Sequence, residues 1–267
     1  MPMQEEYPGS ILNWIAGQPL DVAFILIVLP IMLLAMTGTL LVRGVFGLLI
    51  APGSSVGQAK AGAAAEVYAV VLGFIIVIGF SDFQDAKRDV LQEATALNRL
   101  AAQAKVLDVV TASKVTEAVG VYATAVVDHE WPAMKFGRAS SEANEKIVAL
   151  NDLVMTSAGQ DNALLQIRLS FLLDEVIKLR VSRLSASPDP LVAGLIFQVL
   201  VLGAALALIT GWFVRGPSAL VHILLSAVLS GSVVTVMILS AQLLFPFTGV
   251  VSISAEPFME LAKLSKG

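Results

Sequence analysis

The feature that most restricts this chain is a set of four long runs nearly bare of charge, at residues 22–42, 61–81, 190–214 and 220–245. A bilayer core of about 30 Å needs roughly 20 apolar residues in a helix. In hydrocarbon every backbone N–H and C=O must be paired within the protein, and a helix does this within its own segment. The runs therefore predict four transmembrane helices. Arg43 and Arg215 close the first and third, and His222 and Gln242 are the polar interruptions of the fourth. Pro30 lies inside the first and predicts a kink or a loosened turn. Ahead of it, residues 10–17, with Ser10 as a cap and Trp14 as an aromatic anchor, read as a short interfacial helix.

Composition agrees with this reading. The chain is 57% hydrophobic and 14% charged, against about a quarter charged in soluble proteins. Most of its 17 basic and 21 acidic residues lie between Asp82 and Arg183, so water is the solvent there and lipid elsewhere. The net charge of -4 and the lack of a basic stripe argue against nucleic acid as a partner. The absence of cysteine excludes disulfides, thiolate metal sites and thiol nucleophiles. Glu5 and Glu6 stand where a secretory leader carries basic residues, so the first run reads as a retained span.

Between the second and third runs the pattern stays helical. Phe83, Ala86, Val90, Leu97, Leu100, Ala104 and Leu107 form one stripe with no breaker after the second run, which predicts a single long helix leaving the membrane. A second stripe carries Val115, Val119, Tyr122 and Val126 and stops at Trp131 and Pro132. A third begins near Ser141 with Ala143, Ile147, Leu150 and Val154. A fourth carries Leu165, Leu169, Leu172, Val176 and Leu179. Each helix has one apolar stripe to bury, so the four must pack as a bundle. The predicted fold is all-α: an integral membrane protein with four transmembrane helices and an extramembrane helical bundle inserted between spans two and three. Its parts are an N-terminal segment with spans one and two (1–81), the bundle (82–188), spans three and four (189–246), and a C-terminal tail on the bundle side (247–267).

Four spans put both termini and the bundle on one side of the membrane. The two short loops on the other side hold Arg43, Lys60 and Arg215 and no acid. Basic residues in short loops face the cytoplasm, while long translocated segments count for little. The expected location is therefore the cell inner membrane, with the bundle and both termini periplasmic. Lys87, Arg88, Lys178, Arg180 and Arg183, which flank the membrane on the bundle side, weigh the other way.

Catalytic chemistry has little to stand on, and no enzyme, cofactor or metal site is expected. His129 and His222 are far apart, and no zinc spacing or phosphate-cradling loop occurs. Glu130 follows His129, but neighbouring helical residues point about 100° apart, so the pair reads as a solvated helix end before Pro132. Glu66 is the one carboxylate in a span; such a group marks either an ion-binding position or a structural pairing with Lys60, Tyr68 or a neighbouring subunit. Ala65, Ala69 and Gly73 form a small-residue ladder on span two. Gly203, Ala207 and Gly211 form another on span three, and Ser226 with Ser230 continues the theme on span four. Such ladders let helices approach closely in lipid. Arg183 falls where the stripe through Leu169 and Val176 calls for an apolar residue. Asp82, Asp85 and Asp89 are its expected partners across the two helices, either as an inter-helix ion pair or as a charged vestibule with Arg180. Glu93 occupies a seam position in the same way.

Four ordered stretches resemble one bacterial family, the four-span bestrophin-like proteins. They are EVYAVVLGFIIVIGFSDFQDAKRDVLQEATAL (66–97), YATAVVDHEWPAM (122–134), the paired Arg180 and Arg183, and PFTGVVSISAEPF (246–258). The chain departs from the family in a less basic first loop and in Leu191, where an aromatic residue is common. The resemblance implies kinship with bestrophin channels, which are homo-oligomers with a pore lined by the second span. On that basis the expected function is a homo-oligomeric, channel-like membrane protein passing inorganic ions, its pore lined by Glu66, Ala69, Gly73, Val77 and Phe80. The rival expectation is a non-conducting scaffold whose bundle binds envelope partners. The lipid bilayer and further copies of the chain are the expected partners.

Overall fold

The computed structural model describes residues 14–45, 55–157, 163–187, 190–214 and 218–265. Among them every regular element is helical. In chain order the helices are α1 (Leu20–Val45), α2 (Ser55–Ala104), α3 (Val109–Ala125), α4 (Trp131–Met134), α5 (Ser141–Ser157), α6 (Ala163–Ser185), α7 (Pro190–Trp212), α8 (Ala219–Leu244) and α9 (Glu256–Ala262), the last followed by a 3-10 turn at Lys263–Ser265. They form two compact units. One comprises Met1–Phe80, Pro190–Leu244 and Gly249–Val251; the other comprises Ser81–Asp189, Phe245–Thr248 and Ser252–Gly267. The unbroken stripe from Phe83 to Ala104 is realised as a single helix, α2, which contributes to both units and begins at Ser55, ahead of the expected residue 61.

The first unit holds the apolar helices. α1, α2, α7 and α8 are each long and apolar enough to cross a membrane. Their outer Leu, Ile, Val and Phe side chains are largely exposed, as lipid-facing surfaces are. α1 packs mainly on α8, with Ala23 and Val28 against Val234 and Ile238. Where α1 nears α7, Gly38 lies under the Trp212 ring, and a Cβ there would sit 2.7 Å from the indole. Pro30 loosens α1 as expected: Phe24–Val28 is wound as a π turn. Proline has no N–H for the carbonyl four residues back and its ring crowds that carbonyl; a wider, i→i+5 register relieves both. Of the expected interfacial helix, residues 14–17 are described, and they are helical. Arg215 lies outside the described residues.

The second unit is a bundle of α2, α3, α5 and α6. The four predicted stripes supply its core, including Leu97, Leu100, Val119, Tyr122, Leu150, Val154, Leu169 and Val176. Asp108 starts α3 by accepting hydrogen bonds from the backbone N–H of Val110 and Thr111 at 3.1 and 3.0 Å, satisfying two donors that a helix start leaves open. The 247–267 segment is more than a tail. Phe247, Phe258 and Leu261 are part of the core, and the backbone at Ser265 passes so close to Gly120 that a Cβ there would clash with it.

Candidate functional site

Inside the bundle four charged side chains meet: Arg183, Glu93 and Glu130 are fully buried, and Arg180 reaches in from the edge at 7% exposure. Arg183 on α6 donates from Nε to Oε2 of Glu93 at 2.7 Å and from Nη2 to Oε1 at 3.1 Å. The same Nη2 reaches Oε2 of Glu130 at 2.8 Å. Arg180, one turn earlier, donates from Nη2 and Nε to the two oxygens of Glu130 at 2.6 and 3.3 Å and from Nη1 to Oδ1 of Asn144 at 3.0 Å. The Tyr122 hydroxyl donates to Oε1 of Glu93 at 2.8 Å. Two guanidinium groups thus balance two carboxylates, and every carboxylate oxygen has a donor. Around Arg183 the apolar wall is aromatic: its guanidinium carbon lies 5.5 Å from the Trp131 ring centre and 5.3 Å from that of Phe258. Phe247 completes the wall, edge-on to Trp131 at 5.5 Å.

The electrostatics follow from this geometry. Burial alone would raise the Glu130 carboxyl, but the Arg180 hydrogen bond and the two guanidinium charges hold it below the ordinary carboxylate value. Burial disfavours the charge on Arg183, and Glu93 more than offsets it, so that arginine stays protonated. Burial, and then the charge on Glu93, push the Tyr122 phenol well above its usual value and keep it a hydrogen-bond donor. The shifts of Glu130, Arg183 and Tyr122 all run away from neutral pH. The cluster acts as a lock that ties α2, α6 and the chain around Trp131 together.

This arrangement corrects two expectations. Arg183 pairs with Glu93 and Glu130, not with the aspartates: Asp82 is exposed, Asp85 pairs with Arg88 on the solvent side at 2.9 Å, and Asp89 accepts from the Ser182 hydroxyl at 2.6 Å. The inner face of α6 points Arg183 into the core, where Glu93 in its seam position waits. Glu130 is also fully buried rather than a solvated helix end. Its π turn, Val126–Glu130, ends two residues before Pro132, the same spacing that Pro30 has from its own π turn. A wider turn carries each residue through less rotation, so Glu130 comes round beneath Val126 while His129 is left outside. There His129 meets Glu142 at 3.3 Å.

In the first unit the predicted face of α2 is open. Glu66, Ala69, Gly73, Val77 and Phe80 are all exposed on the single chain, and a Cβ added at Gly73 would meet no neighbour within 4 Å. Ala65, Ala69 and Gly73 border an apolar cleft of about 300 Å³ against α7 and α8. Close packing falls instead at Gly203, which lies against the Tyr68 ring at 3.0 Å from an added Cβ. Of the α7 ladder Gly203 is thus used within the chain, whereas a Cβ at Gly211, like one at Gly73 of α2, would meet nothing within 4 Å.

A family model described as the Bestrophin-like domain matches residues 29–258. Among solved structures, a bacterial bestrophin homologue from Klebsiella pneumoniae with a tyrosine-to-alanine substitution is similar at a TM-score of 0.72 and 14% identity, covering 90% of this chain and 99% of that one. Two others from the same organism have tryptophan-to-alanine and aspartate-to-alanine substitutions. Both are 15% identical, with TM-scores of 0.71 and 0.70, and they cover 90% and 89% of this chain and 97% of their own. At such identities the likeness is one of fold. No curated protein matches the chain.

Proposed function

This chain belongs to the bestrophin-like family, and from that premise we propose that it forms a homo-oligomeric channel for passive ion permeation, with α2 nearest the pore axis. The observation that carries the reading is the open face of α2. Glu66 is the one carboxylate in the predicted spans, and it stands exposed on a helix where a Cβ at Gly73 would meet no neighbour within 4 Å. A carboxylate facing hydrocarbon is costly. Around a symmetry axis the same face meets either water or the next copy. Below Glu66 the face is apolar through Val77 and Phe80, which suits a gate that works by dewetting more than a filter built of charge.

The inner membrane, with the short loops cytoplasmic and the bundle periplasmic, is the setting that the basic residues of those loops support. Purified protein in liposomes tests the channel directly. Ion flux for sodium, potassium or chloride is the expected result. A well-ordered oligomer that passes none of them, at either polarity and at neutral and mildly acidic pH, overturns the channel and leaves the scaffold reading in its place.

A further inference from the structure

The bundle helix α6 is apolar on two opposite faces. One face, through Leu169, Leu173 and Val176, is buried in its own core. At 100° per residue, Leu164, Ile167, Phe171 and Val181 centre on a line about 180° from it. They stand in the open at 85%, 52%, 71% and 61% exposure. Lipid explains such residues on a membrane span, but the bundle has the charge content of a water-soluble body. A helix apolar on both sides sits between two bodies, and one chain supplies one of them.

We propose that the second body is the next copy of this chain, docked through the outer face of its α2. That face carries Leu91, Thr95, Arg99 and Ala102, all exposed. α2 and α6 run antiparallel, because the chain reverses at each of the three connections between them. The Ser182–Asp89 hydrogen bond fixes their relative level. Counting away from that point, Val181 and Leu91 lie one and two residues along. Phe171 and Ala102 lie eleven and thirteen, close to the end of α2 at Ala104. The stripe is broken by charge at Asp174 and Lys178, eight and four residues along, which come level with Arg99 and Thr95 at ten and six. The steps agree to within two residues, roughly 3 Å of helix rise. In a ring whose axis runs along the bundle helices levels are preserved from copy to copy, so Val181 meets Leu91, Phe171 meets Ala102 and Asp174 meets Arg99. Two different faces on one chain make the contact heterologous, the kind that closes rings.

This inference rests on the homo-oligomer proposed above, and one experiment separates the two. Because the chain has no cysteine, Phe171→Cys and Ala102→Cys variants can be made singly and then co-expressed. The co-expressed pair, oxidised in membranes, is expected to give a disulfide-linked dimer of about twice the chain mass, and each single variant alone none. A Phe171→Cys variant that links to itself, or an oligomeric protein whose co-expressed pair fails to link, overturns this contact while the oligomer stands. A protein that runs as a monomer in mild detergent, with no linked pair in membranes, overturns the oligomer as well. As an independent readout, Asp174→Arg is expected to weaken the oligomer in detergent, and adding Arg99→Asp to restore it.

Discussion

Arg183 and Glu93, ninety residues apart in the chain, meet in a two-point ion pair that no solvent reaches. Forked guanidinium–carboxylate pairs are the strong kind, and leaving one half of a buried pair alone costs about 3–5 kcal/mol. Arg183→Leu is therefore expected to lower the melting temperature of the detergent-purified protein sharply, although leucine restores the apolar stripe of α6. Arg183→Lys should rescue only part of the loss, because an ammonium cannot make the fork. A melting curve unchanged by Arg183→Leu would show that the pair contributes nothing to the fold.

The pH dependence has a definite sign. Glu130 is held below its ordinary value by its arginines, so its contribution is fully present above the unfolded value of about 4.3. It is lost as pH falls through the lower folded value. Melting temperature should be insensitive to this group between neutrality and about pH 5, then fall on further acidification. Glu130→Gln should start lower and fall less steeply in the acidic window. Parallel curves for wild type and variant would remove Glu130 from the account.

Gly73 decides between pore and packing. On the pore reading Gly73→Phe abolishes flux and leaves expression and oligomer size intact. If the position is instead a close helix contact between copies, overpacking costs roughly 1–3 kcal/mol and the oligomer splits. Size-exclusion chromatography beside a flux assay reads both.

The orientation is open to a direct test at Ser140, which caps the start of α5 by accepting from the Ala143 N–H. In a Ser140→Cys variant a membrane-impermeant maleimide should label intact spheroplasts. Labelling that requires permeabilised membranes would place the bundle in the cytoplasm.

Charge-free length is a signal that survives without a structure, which is why the four spans and the uninterrupted α2 could be read in advance. The inner stripes of the bundle were legible for the same reason: Val115, Val119, Tyr122 and Val126 keep a period that needs no knowledge of neighbours. Arg183 and Glu93 stood out as charges in apolar seams. Their pairing did not, because distance along the chain says nothing about which carboxylate an inward-facing arginine will find. Glu130 was hidden by geometry. A constant 100° per residue sets His129 and Glu130 about equally far to either side of the Val115–Val126 stripe, and the π turn ahead of Pro132 decides between them, turning Glu130 in and His129 out.

The order of the charged lock along the chain has a consequence for biosynthesis. Glu93 and Glu130 leave the ribosome first, and Arg180 and Arg183 follow some fifty to ninety residues later. Until then two carboxylates bound for a dry interior must stay hydrated, so the nascent bundle cannot close early around them. Even then Arg183 lacks Phe258, which is made only after α7 and α8. The segment that follows α8 is thus the one that seals the bundle core, and a nascent chain that stops before the end of α8 lacks Phe247 and Phe258 and leaves that arginine without its aromatic wall.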